Sequence, residues 1–290
     1  MGVRIDELRR VCQQPVRERN DVAGLLFGDH ASLPITKLFV DLRISPNYAS
    51  IGFLVAGLAG AGLQAGHGTA AWVGAWLLVL YYVLDCVDGE VARYQNVVAV
   101  QWGYYDYLFH MLIKPLTFFG VGLGCSVELQ SPWLLCAAFS AAVSTLWLKM
   151  FLQVPGILFL REVLRRGKGA APAGLPHAQP SPSTAEPGRF QLRLDRVTLR
   201  AMMTNFDIGL LGLAGACTLD LFLEPFHVAG AGPVNARGLW LIYYGVVLPI
   251  DFIDYMVTYL RKGHYSREMV RLLALAHHFR CEDQEGGGGG

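Results

Sequence analysis

Charge is scarce in this chain. Only 16% of its 290 residues are Asp, Glu, Lys or Arg, 53% are hydrophobic, and the mean hydropathy is +0.36. That balance excludes an ordinary soluble domain and calls for a membrane protein. Paired cysteine spacing is missing as well: Cys12, Cys86, Cys125, Cys136, Cys217 and Cys281 contain no C-x-x-C, and several lie in apolar runs. Neither a disulfide framework nor a zinc site is suggested, and unpaired thiols are expected. The charged N-terminus lacks the short apolar core of a signal peptide, so the first span is expected to serve as the insertion signal. No internal repeat is visible, and no nucleic-acid partner is expected.

What is abundant is long apolar sequence. Stretches near the length needed to cross a bilayer, about 20 residues, run approximately over 48–66, 69–92, 102–126, 132–160, 201–223 and 238–260. The expected fold is therefore an all-α integral membrane protein with six transmembrane helices, preceded by an N-terminal amphipathic surface helix. In that helix Val3, Leu8, Val11 and Cys12 form the apolar side, although an ordinary solvated helix fits the first fifteen residues equally well. The organisation reads as an interfacial region 1–45, a transmembrane domain 46–262 with a flexible loop at 162–198, and a tail 263–290. Within the loop, Pro172, Pro176, Pro180, Pro182 and Pro187 stand among Gly, Ala and Ser. The closing Gly286 to Gly290 resembles a linker remnant and carries no functional argument.

Lys and Arg cluster before residue 44, between Arg161 and Arg200, and after Leu260. With those clusters inside, the chain is a multi-pass protein whose termini and central loop face the cytoplasm. A bacterial cell membrane is the expected location.

Against this apolar background the run Asp85-Cys86-Val87-Asp88-Gly89-Glu90-Val91-Ala92-Arg93 stands out, followed by Asp106 and His110. Carboxylates inside a span are costly and mark functional sites. Asp85, Asp88, Gly89 and Ala92 lie at helical offsets 0, 3, 4 and 7, so two carboxylates and two small residues share one face. Such a face can hold a divalent cation and let a flat ligand approach the backbone. Asp106 and His110, four apart on the next apolar segment, can offer oxygen and nitrogen to the same metals, so two facing helices could build a two-metal site.

This spacing resembles the signature of the CDP-alcohol phosphotransferase family: D-x-x-D-G-x-x-A-R, eight residues, G, three residues, D, three residues, D. The first nine positions match in full, and the third aspartate falls on Asp106. The fourth falls on His110, and the second glycine on Trp102, with Gly103 one place late. Ser45-Pro46-Asn47-Tyr48-Ala49-Ser50 also matches the P-N-x-x-S/T stretch that family members often carry near the nucleotide site.

The resemblance implies a six-helix core and transfer of a CMP-activated group to an alcohol with release of CMP, in phospholipid biosynthesis. The donor would be CDP-diacylglycerol or a CDP-amino alcohol, membrane lipid would enter between spans, and the protein would be a homodimer. It further implies two divalent cations, Mg or Mn, held by Asp85, Asp88 and Asp106 with His110 as ligand or general base. Asn47, Asp88, Gly89, Ala92 and Arg93 would contact the CDP moiety. Arg93 would balance phosphate charge.

His110 replaces the carboxylate that the family uses as base and ligand. A neutral imidazole can coordinate a cation and accept a proton near pH 7, but it brings no negative charge to a site for two cations. A catalytically impaired member acting as a membrane scaffold or lipid-binding protein is the alternative. A cation transporter is a weaker third reading, because it leaves Gly89, Ala92 and Arg93 without a role.

Further polar residues in spans are Lys114, Lys149, Asn205, Asp207, Asp220, Asp251 and Asp254. Lys114 shares a helical face with His110, which suits either an acceptor's anionic group or pairing with Asp207, Asp251 or Asp254. Asp251 and Asp254 line the acceptor cavity or satisfy Lys149. His264, His277 and His278 are expected to take no part.

Overall fold

The computed structural model describes residues 3–16, 23–97, 100–166, 200, 202–228 and 232–261. They are mostly helical: α1 (Ile5–Leu8), α2 (Asp29–Asp41), α3 (Pro46–Leu63), α4 (Thr69–Gln95), α5 (Val100–Glu128), α6 (Leu134–Arg166), α7 (Phe206–Leu219) and α8 (Ala236–Arg261). A short antiparallel hairpin, β1 (Phe226–Val228) and β2 (Gly232–Val234), pairs Phe226 with Val234 and departs from the purely helical expectation.

Among the described residues four helices are long and apolar enough to cross a membrane: Thr69–Gln95, Tyr104–Glu128, Leu134–Phe151 and Ala236–Arg261. The count of six is corrected accordingly, and both shortfalls have local causes. α3 has 18 residues and opens on Pro46, Asn47 and Tyr48, which dilute its hydropathy. The stretch 201–223 yields only the 14-residue α7, because the Asn205 side chain caps its start by accepting from the Ile208 N–H at 2.9 Å, and Asp220 ends it.

α6 also continues through Arg166, so the expected loop at 162–198 begins inside a helix. The remainder of that loop apart from residues 162–166, and the tail 263–290, lie outside the described residues.

The chain forms two compact units, Met1–Thr145 with Phe190–Pro249, and Leu146–Arg189 with Ile250–Gly290. In the first, α4 is central and is packed by α2, α3 and α7, while α3 also packs on α5. Glycine allows the close crossings. A Cβ on Gly120 would lie 2.2 Å from the Ala61 carbonyl oxygen, and one on Gly74 would lie 2.8 Å from that of Gly60. Small residues at such crossings are what brings spans together where no hydrophobic driving force acts between them. On α5, Leu108, Leu112, Leu116, Phe119, Leu123 and Val127 remain exposed along one stripe, the outward face expected of a helix bathed in lipid. In the second unit, Trp147, Phe151, Phe252, Tyr255 and Tyr259 form a run of edge and stacked ring contacts.

The N-terminal segment turns Leu8 and Cys12, with Val3 beside them, onto protein, whereas Val11 of the expected apolar side is exposed. Leu8, Cys12, Leu33 and Val40 are buried with Ala49, Val87 and Val91 in a cluster of their own at the C-terminal end of α4. That end carries the carboxylate-rich run.

Candidate functional site

Asp85 on α4 and Asp106 and His110 on α5 converge, each offering one ligand atom within 4.8 Å of the others. His110 Nε2 lies 3.2 Å from Asp85 Oδ1 and 3.3 Å from Asp106 Oδ1. The i, i+4 relation stacks Asp106 and His110 on one face of α5. Asp106 is the open side of the group, with its side chain 42% exposed against 14% for His110.

The imidazole is held from behind. Tyr81, fully buried one turn before Asp85, hydrogen-bonds His110 Nδ1 through its hydroxyl. Phe53 on α3 stacks on the ring, with centroids 5.9 Å apart and planes at 21°. Nε2 is thus the nitrogen that faces the carboxylates. Ligation through Nε2 requires the Nδ1–H tautomer, with the Tyr81 hydroxyl accepting that proton's hydrogen bond, the usual outer support of a metal-binding histidine. A protonated imidazole would instead donate from both nitrogens.

Asp88 stands outside this group of three. Its Oδ2 accepts from the buried Ser50 hydroxyl at 2.8 Å, so it points toward α3. Of the Pro46–Ser50 stretch, Ser50 is therefore the residue that reaches the carboxylates. Asn47 is half-buried at the start of α3, where its backbone N–H donates to the Ser45 hydroxyl at 3.4 Å.

Gly89 leaves its side open. The three heavy atoms nearest a Cβ built there all belong to the flexible Arg93 guanidinium, at 3.2, 3.6 and 3.8 Å. Ala92 is half-buried and Arg93 exposed, with Arg93 Nε donating to the Cys12 carbonyl at 2.7 Å. Arg93 is thus tethered to the N-terminal segment while its terminal nitrogens lie over Gly89. Trp102 and Gly103 lie on α5.

The donor set fits one divalent cation: two carboxylate oxygens and one imidazole nitrogen at mutually compatible distances. A second cation would have to draw on Asp88, whose contact to Ser50 leaves the other carboxylate oxygen for it.

Sequence reasoning missed Tyr81, Phe53 and Glu90, and it named Ser50 only as part of the Pro46–Ser50 stretch. Tyr81 carried a usable signal, four residues before Asp85. Glu90, 2% exposed, accepts from Gln13 Nε2 at 2.7 Å and Ser32 Oγ at 2.8 Å on one oxygen and from Thr36 Oγ1 on the other. Of the remaining span residues, Lys114 pairs with Asp207 at 3.4 Å, and Asp220 accepts the Ala236 and Arg237 N–H groups at 2.7 and 3.0 Å.

No protein-family model matches the chain, and no curated protein matches it in sequence.

Proposed function

We propose that this chain is a membrane-embedded CDP-alcohol phosphotransferase that moves a CMP-activated substituted phosphate group to an alcohol. One observation carries the reading: Asp85, Asp106 and His110, at positions that resemble the family signature, bring their ligand atoms within 4.8 Å from two different helices. Asp88, Gly89, Ala92 and Arg93 continue the same stretch of α4 and suit a nucleotide diphosphate, with an open backbone at Gly89 and a guanidinium above it. A CDP-linked lipid or CDP-amino alcohol as donor, Mg or Mn, a cytoplasm-facing site and a homodimer belong to the proposal through the resemblance alone.

In this reaction the acceptor oxygen forms a bond to phosphorus, the bond from phosphorus to the CMP oxygen breaks, and the hydroxyl proton must be taken up. A divalent cation held by Asp85, Asp106 and His110 would neutralise the diphosphate and polarise phosphorus. His110 Nε2 is the nitrogen placed for either job. As base it takes the proton between two carboxylates that stabilise the resulting imidazolium; as ligand it gives its lone pair away. The same atom cannot do both at once.

A specific observation favours a second reading, a catalytically silent membrane scaffold. Nε2 already stands between both carboxylates at 3.2 and 3.3 Å, where a protonated imidazole would satisfy them unaided and lock α4 to α5.

Release of labelled CMP from CDP-diacylglycerol or CDP-ethanolamine by the purified protein tests the choice. Release that vanishes in EDTA and returns with Mg or Mn is expected. Full turnover in chelator overturns the metal assignment, and no release from either donor, with any alcohol, favours the scaffold.

A further inference from the structure

The geometry points to Lys114 and Asp207 as the place where the acceptor's polar end is bound, and to a net-neutral alcohol as that acceptor; the inference rests on the transferase reading above. Lys114 lies four residues beyond His110 on α5, about 6 Å further along the helix axis. Arg93 and Gly89 lie in the opposite direction, toward the α4–α5 connection. A nucleotide held at that end leaves the other side of His110 to the attacking alcohol.

Lys114 Nζ is 3.4 Å from Asp207 Oδ2 and 5.0 Å from the centre of the Phe206 ring. Both partners are mostly buried, with side chains 18% and 13% exposed. The pair is incompletely satisfied. Asp207 Oδ1 is shielded from solvent and has no hydrogen-bond partner among the described residues, and a buried carboxylate oxygen without a donor is costly. Lys114 carries three donors and spends one on Oδ2. Asp207 also stands within electrostatic range of Asp85 and of Tyr81, the residue behind His110, so the pair shares the polar interior of the candidate site.

A pair with one vacant acceptor and spare donors complements a ligand that offers both. A polyol does so with hydroxyl groups, and a zwitterionic amino alcohol with its ammonium and carboxylate. A phosphorylated alcohol does not, because the Lys114 charge is already matched by Asp207, which leaves no unpaired cation beside it for a phosphate group.

The test uses the full chain in nanodiscs with CDP-diacylglycerol and glycerol, serine or glycerol 3-phosphate as acceptor. Release of CMP should be at least tenfold faster with glycerol or serine than with glycerol 3-phosphate, and whichever of the two prevails identifies polyol or amino alcohol. Asp207→Asn should raise the KM for that acceptor at least tenfold and leave the KM for CDP-diacylglycerol within twofold. Preference for glycerol 3-phosphate in the wild type, which needs no variant, overturns the inference, as does an unchanged acceptor KM in a folded Asp207→Asn protein. Saturation transfer from protein to serine or glycerol by NMR separates this failure from that of the transferase reading. Transfer present in wild type and lost in Asp207→Asn upholds the binding place even without CMP release, and its absence in wild type overturns it.

Discussion

Gln13 and Glu90, 77 residues apart in sequence, share a buried hydrogen bond of 2.7 Å that ties the N-terminal segment to α4. Gln13 uses the same amide nitrogen to reach the Asp29 carbonyl at 2.6 Å, and Ser32 and Thr36 complete the shell around the carboxylate. Glu90 directly follows Gly89, so one face of α4 presents the candidate site while another is clamped by residues from before the first long helix. Glu90→Ala strands three buried donors and should destabilise the fold by about 3 kcal/mol. A lower midpoint of thermal unfolding in detergent, with faster proteolysis before residue 45, is the expected result; wild-type resistance would mean that the carboxylate does not hold the segment.

Cys12 sits in the same interface. Burial, reinforced by the negative charge of Glu90 and opposed by Arg93, pushes its thiol up to about 11. The folded protein therefore holds the Cys12 proton more tightly than the unfolded chain, whose thiol titrates at its ordinary value of 9.0. The stability linked to this group is present below that value and is lost as pH rises toward 11. At pH of about 7.5 the wild-type thiol should resist maleimide, and Glu90→Ala should expose it to labelling at a rate at least tenfold higher. Mass spectrometry of the labelled peptide reads the result.

The helix crossings make a sharper structural prediction. Gly120→Ala would force a Cβ to within 2.2 Å of the Ala61 carbonyl, and Gly124→Ala to within 2.3 Å of the Gln64 carbonyl, both backbone atoms that cannot rotate away. Each should cost upwards of about 2 kcal/mol through separation of α3 from α5. Gly62→Ala is the control, since a Cβ there meets nothing within 4 Å. In mid-helix it should be neutral or stabilise by up to about 1 kcal/mol. Thermal unfolding of the three variants in one detergent orders them.

Hydropathy made the long helices legible, because an apolar run of span length has few alternatives, and i, i+4 spacing made the Asp106–His110 pair legible. The shortfalls came from polar residues at helix ends. Asn205 and Asp220 look like tolerable interruptions of an apolar stretch, yet the capping bond to Ile208 and the termination at Asp220 leave α7 with 14 residues. Asp88 shares a face of α4 with Asp85, and its contact to Ser50 depends on how α3 packs against α4, which no spacing along the chain announces. Glu90 passed unnoticed because its partners lie 54 to 77 residues away and no local pattern announces them. The aromatic backing of His110 by Tyr81 and Phe53 likewise depends on how α3, α4 and α5 pack.

His110 is where the transferase and scaffold readings separate most cleanly. Its ring is supported by Tyr81 at Nδ1 and Phe53 on its face, so His110→Ala removes the group between the carboxylates and leaves Asp85 and Asp106 to repel each other. Turnover should fall at least a hundredfold under the transferase reading, while size-exclusion behaviour stays that of wild type. His110→Asp, the carboxylate of the family signature, should keep or raise turnover with Mg. Tyr81→Phe keeps the ring and deletes the hydroxyl that fixes Nδ1, so it should cost on the order of tenfold through misorientation of the imidazole. Mn binding followed by electron paramagnetic resonance gives a readout independent of turnover: affinity should drop in His110→Ala and Asp106→Ala and persist in His110→Asp. Wild-type turnover in His110→Ala would remove the histidine from the chemistry. An inactive wild type that His110→Asp brings to life would instead show that the imidazole between Asp85 and Asp106 is what holds this chain silent.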